Sequence, residues 1–490
     1  MLFSSIYPLL GNVCLAVLPT WLRPEAPNGE VGRGARIQAP AARSTGYLDG
    51  LRGLVAILVF VRHFSLPWQE KLDYGYGYEG QYYGVLRLPV LRLLYAGPLV
   101  PVFFIVSGYV LSAKAVKLAH RRSYDEIAVS LASSTFRRGI RLFLPPVISS
   151  LLVVVSVRLG LFSFDYSAMP ETGRIPVRPR RLDTTGAQLM QWMGFVADEL
   201  VNPWRWDVPR LEYGPHLWTI PVSFKGSMVV FLASLMLLRT RPNIRLGLVT
   251  ASIAYALSRG RWDMAPFLCG RLLCELDFRQ NTNRVASQDD NLDPDFLSPV
   301  VRKKTRRSII IIPRGIARKL RGLFSRALVH VSLLLGMYIG SFPRHNNGTR
   351  ADCVQGYQTM CWLTPNYRHW QAVGAFAIMW AISREKVLRR PLECRLAQYL
   401  GRISFSVYLV HEPLLHVFGF FTVPFFRIAL AGDSGSTFLS QLGFGLAMAV
   451  TGFVLVWVAD VFRSVVEEPI GRLAAQVEVL CSVVATPGPG

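Results

Sequence analysis

Charged residues are scarce in this sequence: Asp, Glu, Lys and Arg together make up 17% of its 490 residues. A typical soluble domain contains about 25% charged residues. The shortfall is concentrated in long apolar runs, and hydrophobic residues reach 51% of the chain, with a mean hydropathy of +0.31. This composition argues against a soluble globular protein. It predicts an all-α fold, a polytopic integral membrane helical bundle embedded in a lipid bilayer.

Acidic residues and cysteine motifs are also rare. There are 31 Asp and Glu residues against 54 Lys and Arg, which gives a formal net charge of +23. The basic residues cluster in loops between apolar runs, where the positive-inside bias places them, so we predict no nucleic-acid partner. The seven cysteines include no CxxC pair, and no His/Asp cluster has metal-ligand spacing. The sequence therefore predicts no zinc or redox motif and no bound metal.

The chain divides into three parts by composition. Residues 1–44 begin with an apolar stretch, 1–22, that lacks a preceding basic segment. A signal peptide, an interfacial helix and a weak membrane span remain open for it, and we favour an interfacial segment. Residues 23–44 are rich in Pro, Gly, Ala and Arg and indicate a flexible linker. The membrane domain is predicted over 45–470, followed by a C-terminal tail over 471–490.

About ten apolar runs predict the transmembrane helices of this domain. The sixth run is short for a hydrocarbon core about 30 Å thick and contains Arg271. It is therefore predicted to be tilted against its neighbours or re-entrant. The predicted spans are 47–66, 96–113, 142–160, 217–238, 244–258, 262–276, 324–342, 367–384, 398–424 and 436–462.

Loop charge predicts the orientation of these spans. The loops rich in Lys and Arg alternate along the chain, so we place them and both termini in the cytosol. The third of them contains RKKTRR at 302–307 and is predicted to be partly disordered. The cytosolic loops are 114–141, 239–243, 277–323 and 385–395. The opposite loops are 67–95, 161–216, 343–366 and 425–435.

The opposite loops carry signals of a non-cytosolic compartment. Asn347, Gly348 and Thr349 form an N-glycosylation sequon. Cys353 and Cys361 share that loop, and both a disulfide and two unpaired thiols remain open. The loop 161–216 contains arginines, among them Arg174, Arg178, Arg180 and Arg181, but long loops translocate largely regardless of charge. We therefore predict a small lumenal subdomain there.

The first span carries two ionisable side chains on one face. In YLDGLRGLVAILVFVRHF, at 47–64, Arg52 and His63 lie eleven residues apart. At about 100° and 1.5 Å per residue, they share a face and stand about 16 Å apart along the axis. His63 is a candidate general base, and Arg52 a candidate ligand for a phosphate or carboxylate from the cytosol. An interfacial histidine and a snorkelling arginine, with Asp49 as its partner, are the structural alternatives.

Two further motifs lie on the second and third spans. PVFFIVSGYVLS, at 101–112, places the hydroxyl of Ser107 beside Gly108, whose expected role is close helix packing. FRRGIRLFLPP, at 136–146, puts Arg138 and Arg141 on one helix face at the cytosolic entrance. With Arg137 they form a candidate phosphate-binding cluster, and ordinary positive-inside charge is the alternative.

Two more motifs place polar groups in apolar helices. GPHLWTIPVSFKGSMVVF, at 214–231, has His216 at the interface and Lys225 inside the apolar run, where a cation needs a partner or a watery cavity. ISFSVYLVHEPL, at 403–414, places Tyr408 and His411 three residues apart on one face, next to Glu412. Packing alone does not explain a His-Glu pair inside a membrane helix.

In this order, the five motifs resemble the membrane-bound acyltransferase-3 family, and the style of LWTIP…GSMVVF is similar to fungal members. The resemblance covers roughly residues 45–470. It implies a ten-helix membrane enzyme that moves an acyl group, often acetyl, from a coenzyme A thioester to a hydroxyl. The family's functional Arg and His pair matches Arg52 and His63, and its RxxR pair matches Arg138 and Arg141.

The resemblance therefore predicts an O-acyltransferase that uses acyl-CoA as co-substrate and has no bound cofactor. Its acceptor is a hydroxyl of a small molecule, lipid or carbohydrate. His63 and Arg52 are the expected catalytic residues. The residues expected to bind acyl-CoA or acceptor are Arg138, Arg141, Ser107, His216, Lys225, Tyr408 and His411. We expect a glycosylated multi-pass protein of the endomembranes or the plasma membrane.

One position departs from the family pattern. Ser223 stands where the family usually has a glutamate after WTIPV. The change raises the alternative of a catalytically inactive relative. The intramembrane charges also fit a second alternative, a transporter or flippase of a polar lipid or metabolite.

Overall fold

A computed structural model describes most of the chain, in the ranges 45–82, 84–168, 175–204, 212–286, 314–344, 353–432 and 436–482. All regular elements within these ranges are helical, which confirms the all-α prediction for this part of the chain. The predictions for residues 1–44, for the RKKTRR run and for the sequon at Asn347 fall outside the described residues.

A helix lies at each of the ten predicted spans. The long helices are α1 (Gly46–Ser65), α2 (Leu99–His120), α3 (Tyr124–Arg158), α4 (Thr219–Met236), α5 (Pro242–Ser258), α6 (Ala265–Ala286), α7 (Arg314–Gly340), α8 (Tyr367–Arg384), α9 (Arg395–Ala431) and α10 (Thr437–Cys481). Shorter helical elements include Thr185–Gly194 and Phe195–Leu200 in the long loop and Pro215–Trp218 before α4.

Five stretches of the described residues are long and apolar enough to cross a membrane, so the count of ten spans is not confirmed. They are Leu99–His120, Tyr124–Arg158, Pro215–Met236, Arg395–Ala431 and Thr437–Cys481. Helix α1 is not among them, because Asp49, Arg52 and Arg62 lie within its twenty residues.

Several helices extend beyond the predicted spans, and α2 and α3 together cover most of the predicted loop 114–141. Helix α6 has 22 residues and reaches Ala286, so the first ten residues of the predicted loop 277–323 are helical. Arg271 in this helix is buried, and its guanidinium donates a hydrogen bond to the Ser234 hydroxyl at 2.9 Å. Helix α10 continues through a π-helical segment, Arg463–Glu467, so most of the predicted C-terminal tail up to Cys481 is helix.

The described residues form two compact units. Unit 1 contains α1, most of α3, the loop after it, the start of α4, α9 and α10, within 45–71, 133–224 and 392–482. In this unit α1 packs along the first part of α9, and both halves of α9 pack against α10. Pro413 has no backbone N–H, and it is followed in α9 by the π-helical turn Leu415–Gly419.

Unit 2 contains the remaining helices, within 72–132 and 225–391. Helix α2 packs on α6, and a Cβ at Gly108 would overlap the Phe267 backbone, so the predicted packing role of this glycine is confirmed. Cys353 and Cys361 form a disulfide, which resolves the two options left open by the sequence. They pack in a cluster with Tyr78, Phe342 and Tyr357.

Candidate functional site

The site in unit 1 depends on a close approach of α1 and α9. Gly53 lies against Gly401, and a Cβ on either glycine would overlap backbone atoms of the other helix. The absence of side chains at this crossing lets the helix backbones touch. As a result, the C-terminal end of α1 brings the ring of His63 to the ring of His411, with centroids 5.0 Å apart in an edge-to-face arrangement.

The protonation pattern of His411 follows from its hydrogen bond. Its Nδ1 lies 2.7 Å from the carbonyl oxygen of Tyr408, which can only accept, so Nδ1 carries the proton. In the neutral ring Nε2 then has a lone pair. His411 is 1% exposed, and its Nε2 has no hydrogen-bond partner among the described residues. A buried acceptor is therefore available to a ligand.

His216 is held by a carboxylate. The Glu412 Oε2 accepts from the His216 backbone N–H at 3.2 Å and also from its ring Nδ1–H. His216 and Glu412 are 4% and 7% exposed, so these charge-assisted hydrogen bonds are shielded from water. The His216 Nε2 has no hydrogen-bond partner in the part of the chain that the structure describes. Its ring centroid is 4.7 Å from that of His411.

Tyr408 completes the support of this cluster. Its hydroxyl donates to the His216 carbonyl oxygen and lies 2.7 Å from the Thr219 hydroxyl, which can donate to it in turn. The sequence predicts that Tyr408 binds a substrate, and this stays a prediction. Its hydroxyl holds the backbone of His216, which makes Tyr408 a positioning residue for this cluster. The cluster formed by His63, His216, His411 and Glu412 is called the imidazole cluster below.

The side chains of the imidazole cluster are of the types that serve as a general base or as metal ligands. One ligand atom each from His63, His411 and Glu412 lies within 4.8 Å of the others. Imidazole nitrogen and carboxylate oxygen are ligands that zinc accepts. No ligand spacing in the sequence indicated such a group, since His63 is nearly 350 residues from His411. The predicted absence of a metal stays a prediction.

A second group of charges in unit 1 contains Arg52, Arg138 and Arg141, which are called the arginine cluster below. The charges of Arg141 and Arg52 act on the guanidinium of Arg138, which is half-buried. Neighbouring guanidinium groups repel each other because each carries a positive charge. A bound phosphate relieves that repulsion, and its oxygens accept paired hydrogen bonds from the guanidinium groups. The structure thus brings together the three arginines that the sequence placed on two different helices.

Neighbouring side chains set the limits of this arginine cluster. Arg52 lies 3.9 Å from the Asp49 carboxylate, the partner expected from the sequence. Arg137 points elsewhere, because its Nε lies 3.0 Å from the Glu478 carboxylate. The Glu467 carboxylate, which accepts from the Ser406 hydroxyl at 2.7 Å, interacts with the charges of Arg52 and Arg141.

The remaining predicted positions are not all in this unit. Ser107 is half-buried on α2 and Lys225 is buried on α4, and both belong to unit 2. Their predicted contact with a substrate stays a prediction. Ser223, the position that departs from the family pattern, is half-buried in the first turns of α4 in unit 1.

Sequence reasoning missed two contributors, Thr219 and Glu467. Glu412 is singled out by the sequence, but its partner His216 lies on a distant segment. Thr219 gave no signal, because a threonine at a helix start is a common residue. Glu467 belongs to a Glu-Glu pair that follows the last apolar run, and the π-helical turn that contains it is seen only in the structure.

Two tyrosines outside the membrane-spanning segments support the same end of unit 1. Burial raises the pKa of Tyr166, so its hydroxyl stays protonated at neutral pH. This hydroxyl shares a 2.5 Å hydrogen bond with Nδ1 of His416. Burial likewise raises the pKa of Tyr213, whose hydroxyl lies 2.7 Å from both the Gln188 and the Gln191 side chains.

Comparison with known proteins agrees with the resemblance drawn from the motifs. The family model of an acyltransferase domain, acyltransferase-3, matches residues 45–459. The O-acetyltransferase PaAT-1 of Phomopsis amygdali is 28% identical over 432 residues, covering 85% of this chain and 81% of that protein. The acyltransferase clz18 of Cochliobolus lunatus is 25% identical over 473 residues, covering 87% and 94%.

A third relative extends this agreement. The acyltransferase R4 of Phoma sp. (strain ATCC 20986 / MF5453) is 25% identical over 492 residues, covering 90% of this chain and 97% of that protein. No solved structure matches the chain. The family model matches most of the chain, and the matched residues include the imidazole cluster and Arg52, Arg138 and Arg141. The chain therefore belongs to the acyltransferase-3 family and is a membrane-embedded acyltransferase.

Proposed function

We propose that this protein is an O-acyltransferase that moves an acyl group, acetyl in the first instance, from acyl-CoA to a hydroxyl. The observation that carries the proposal is the imidazole cluster, in which the buried Nε2 atoms of His411 and His216 have no hydrogen-bond partner within the described ranges. A group of this kind can take a proton from a bound hydroxyl. The O-acetyltransferase activity named for one relative supports the same chemistry.

The donor binds, in this proposal, at the arginine cluster. Arg138, Arg141 and Arg52 hold phosphate oxygens of coenzyme A, and loop charge favours the cytosolic side for this end of unit 1. The thioester then extends along the face shared by Arg52 and His63. Asp49 and Glu467 are the carboxylates that orient the guanidiniums before the anion binds.

The acceptor reacts at the imidazole cluster. His63 takes the proton of the acceptor hydroxyl while the hydroxyl oxygen attacks the carbonyl carbon of the thioester. The tetrahedral intermediate collapses, the carbon–sulfur bond breaks, and the coenzyme A thiolate receives the proton from His63. The reacting hydroxyl is placed by its hydrogen bond to His63, and the Nε2 atoms of His411 and His216 accept hydrogen bonds from other donors at the site, such as bound water.

Donor binding is tested by an acetyl-CoA titration of the purified protein in lipid nanodiscs. Arg138→Gln removes one guanidinium, and we expect KM for acetyl-CoA to rise about tenfold or more, since a hydrogen bond to a charged group contributes about 1.5–3 kcal/mol. Arg137→Gln is the matched control, because Arg137 is paired with Glu478. Equal effects of the two changes would contradict the assignment of the arginine cluster.

The purified protein also distinguishes the two alternatives. Movement of a polar lipid across the bilayer of closed vesicles that contain the protein, without consumption of acetyl-CoA, would favour a transporter. Activity that is absent in the natural chain and created by Ser223→Glu would favour an inactive relative. The proposal expects acetyl-CoA consumption by the natural chain, with Ser223 in place.

A further inference from the structure

A small cleft in unit 1 leads to the imidazole cluster. It lies between the end of α3, the loop after it and the middle of α9, and its enclosed space is about the size of one water molecule. Most of its wall is formed by apolar side chains from these elements: Val153, Phe162, Val177, Pro179, Pro215 and Pro413.

The inner end of this cleft is polar. Glu412 and His416 line it, and a tenth of the Glu412 side chain is exposed while its Oε2 is bonded to His216. Phe162 stacks on the His416 ring with centroids 4.9 Å apart, and the Tyr166 hydroxyl bonds to the same ring. A ligand in the cleft therefore meets Glu412 and His416 next to the imidazole cluster.

Two other polar residues of the wall are engaged elsewhere. The Tyr213 hydroxyl bonds to Gln188 and Gln191, and the Glu212 carboxylate accepts from the Gln191 amide at 3.2 Å. A polar ligand would have few hydroxyl partners along this wall. Transfer of an unpaired hydroxyl out of water costs about 1–3 kcal/mol in proteins. The wall thus disfavours a sugar, which would bring several hydroxyls.

Apolar side chains are also exposed at the cleft. Val177 of its wall is 55% exposed, and Leu161, next to Phe162 of the wall, is 42% exposed. Clustered exposed apolar side chains mark a binding surface or a membrane contact. A loop next to the end of an apolar helix lies at the bilayer surface, where an amphipathic ligand partitions.

We propose that this cleft binds the acceptor and that the acceptor is an apolar alcohol with a single reacting hydroxyl end, rather than a carbohydrate. The inference rests on the proposed function, since it names the substrate class of the same reaction. The enclosed space of the cleft is below the range of about 300–1,000 Å³ found for drug-sized ligand sites. The cleft therefore holds the hydroxyl-bearing end, and the remaining apolar body lies over Leu161 and Val177.

The test compares two sets of secondary alcohols with acetyl-CoA as donor, in nanodiscs. The apolar set includes tert-butylcyclohexanol and other alkyl-substituted ring alcohols, and the polar set includes methyl glucoside and related glycosides. We expect kcat/KM to be about tenfold or more higher for the apolar set, the discrimination that apolar pockets typically give. Hydrolysis of acetyl-CoA without acceptor is measured in parallel.

A pair of variants tests the wall itself. Val177→Asp places a charge in the wall, and we expect the ratio of acetyl transfer to thioester hydrolysis to fall about tenfold or more with the apolar alcohols. Ile175→Asp is the matched control, since Ile175 is as exposed on the same segment but is not part of the wall. It should leave that ratio unchanged. Both positions are exposed, so folding is checked by thermal unfolding alone.

Two results would overturn the inference while leaving the proposed function intact. One is faster acetylation of glycosides than of apolar alcohols, and the other is equal ratios for Val177→Asp, Ile175→Asp and the natural chain. Thioester hydrolysis without transfer to any apolar alcohol also counts against it. Absence of both transfer and hydrolysis would instead overturn the proposed function, and the inference with it.

Discussion

The contact between Glu412 and His216 provides the sharpest single perturbation of this site. Glu412→Gln keeps the size of the side chain and removes its charge. The hydrogen bond from the His216 ring then changes from a charged to a neutral one. Hydrogen bonds to charged groups contribute about 1.5–3 kcal/mol and neutral ones about 0.5–1.5 kcal/mol, so we expect a loss of about 1–1.5 kcal/mol. This corresponds to about a tenfold fall in kcat/KM.

The size of the effect depends on how many donors lose their acceptor. Glu412→Ala leaves the backbone N–H and the ring Nδ1–H of His216 without it. Each unsatisfied buried donor costs about 1–3 kcal/mol, so the alanine variant is expected to lose both activity and thermal stability. Glu478→Gln is the control of the same chemistry, because Glu478 forms a partly exposed ion pair with Arg137, which contributes little.

The assay is the initial rate of acetyl transfer, combined with a double-mutant cycle. If Glu412 acts through His216, the tenfold effect of Glu412→Gln disappears in a His216→Gln background, because the two residues then form one unit. An equal fall in both backgrounds would refute a positioning role for Glu412. An unchanged rate for Glu412→Gln in the natural background would refute the reasoning as well.

Two further predictions concern packing and metal content. Gly401→Ala puts a Cβ against the Asp49 backbone at the α1–α9 crossing, and overpacking of this kind costs about 1–3 kcal/mol, so thermal unfolding should occur at a lower temperature. Gly445→Ala in α10, where a Cβ meets nothing within 4 Å, should not lower it, and equal behaviour of the two would contradict the packing argument. For the metal, elemental analysis of the purified protein should find less than one ion per chain, and a chelator should leave acetyl transfer unchanged. A stoichiometric ion whose removal abolishes activity would assign His63, His411 and Glu412 as its ligands instead.

The helices were predictable from the sequence because apolar runs of helical length leave few other structures in a bilayer. Arg138 and Arg141 were predictable as a pair, since residues three positions apart in a helix lie next to each other on one face. The partners of the histidines were not, because His216, His411 and His63 lie on three distant segments. Their meeting depends on the contact of Gly53 with Gly401, which no periodicity shows.

The length of the helices was also partly hidden. Apolarity marks where a helix crosses lipid, whereas α6 and α10 continue as polar or amphipathic helix past that limit. Charge also explains why the predicted number of spans is not confirmed. The charged residues of α1, among them the candidate site residue Arg52, keep this helix out of the set of clearly apolar helices.

The central claim is that His63 and Arg52 act in acyl transfer from acyl-CoA to a hydroxyl. The most direct measurement is acetyl transfer by purified His63→Ala and Arg52→Ala variants that keep the thermal unfolding of the natural chain. Loss of a general base is expected to slow transfer about 10²–10⁴-fold for His63→Ala, and Arg52→Ala should raise KM for acetyl-CoA. Full activity in both variants would contradict the account.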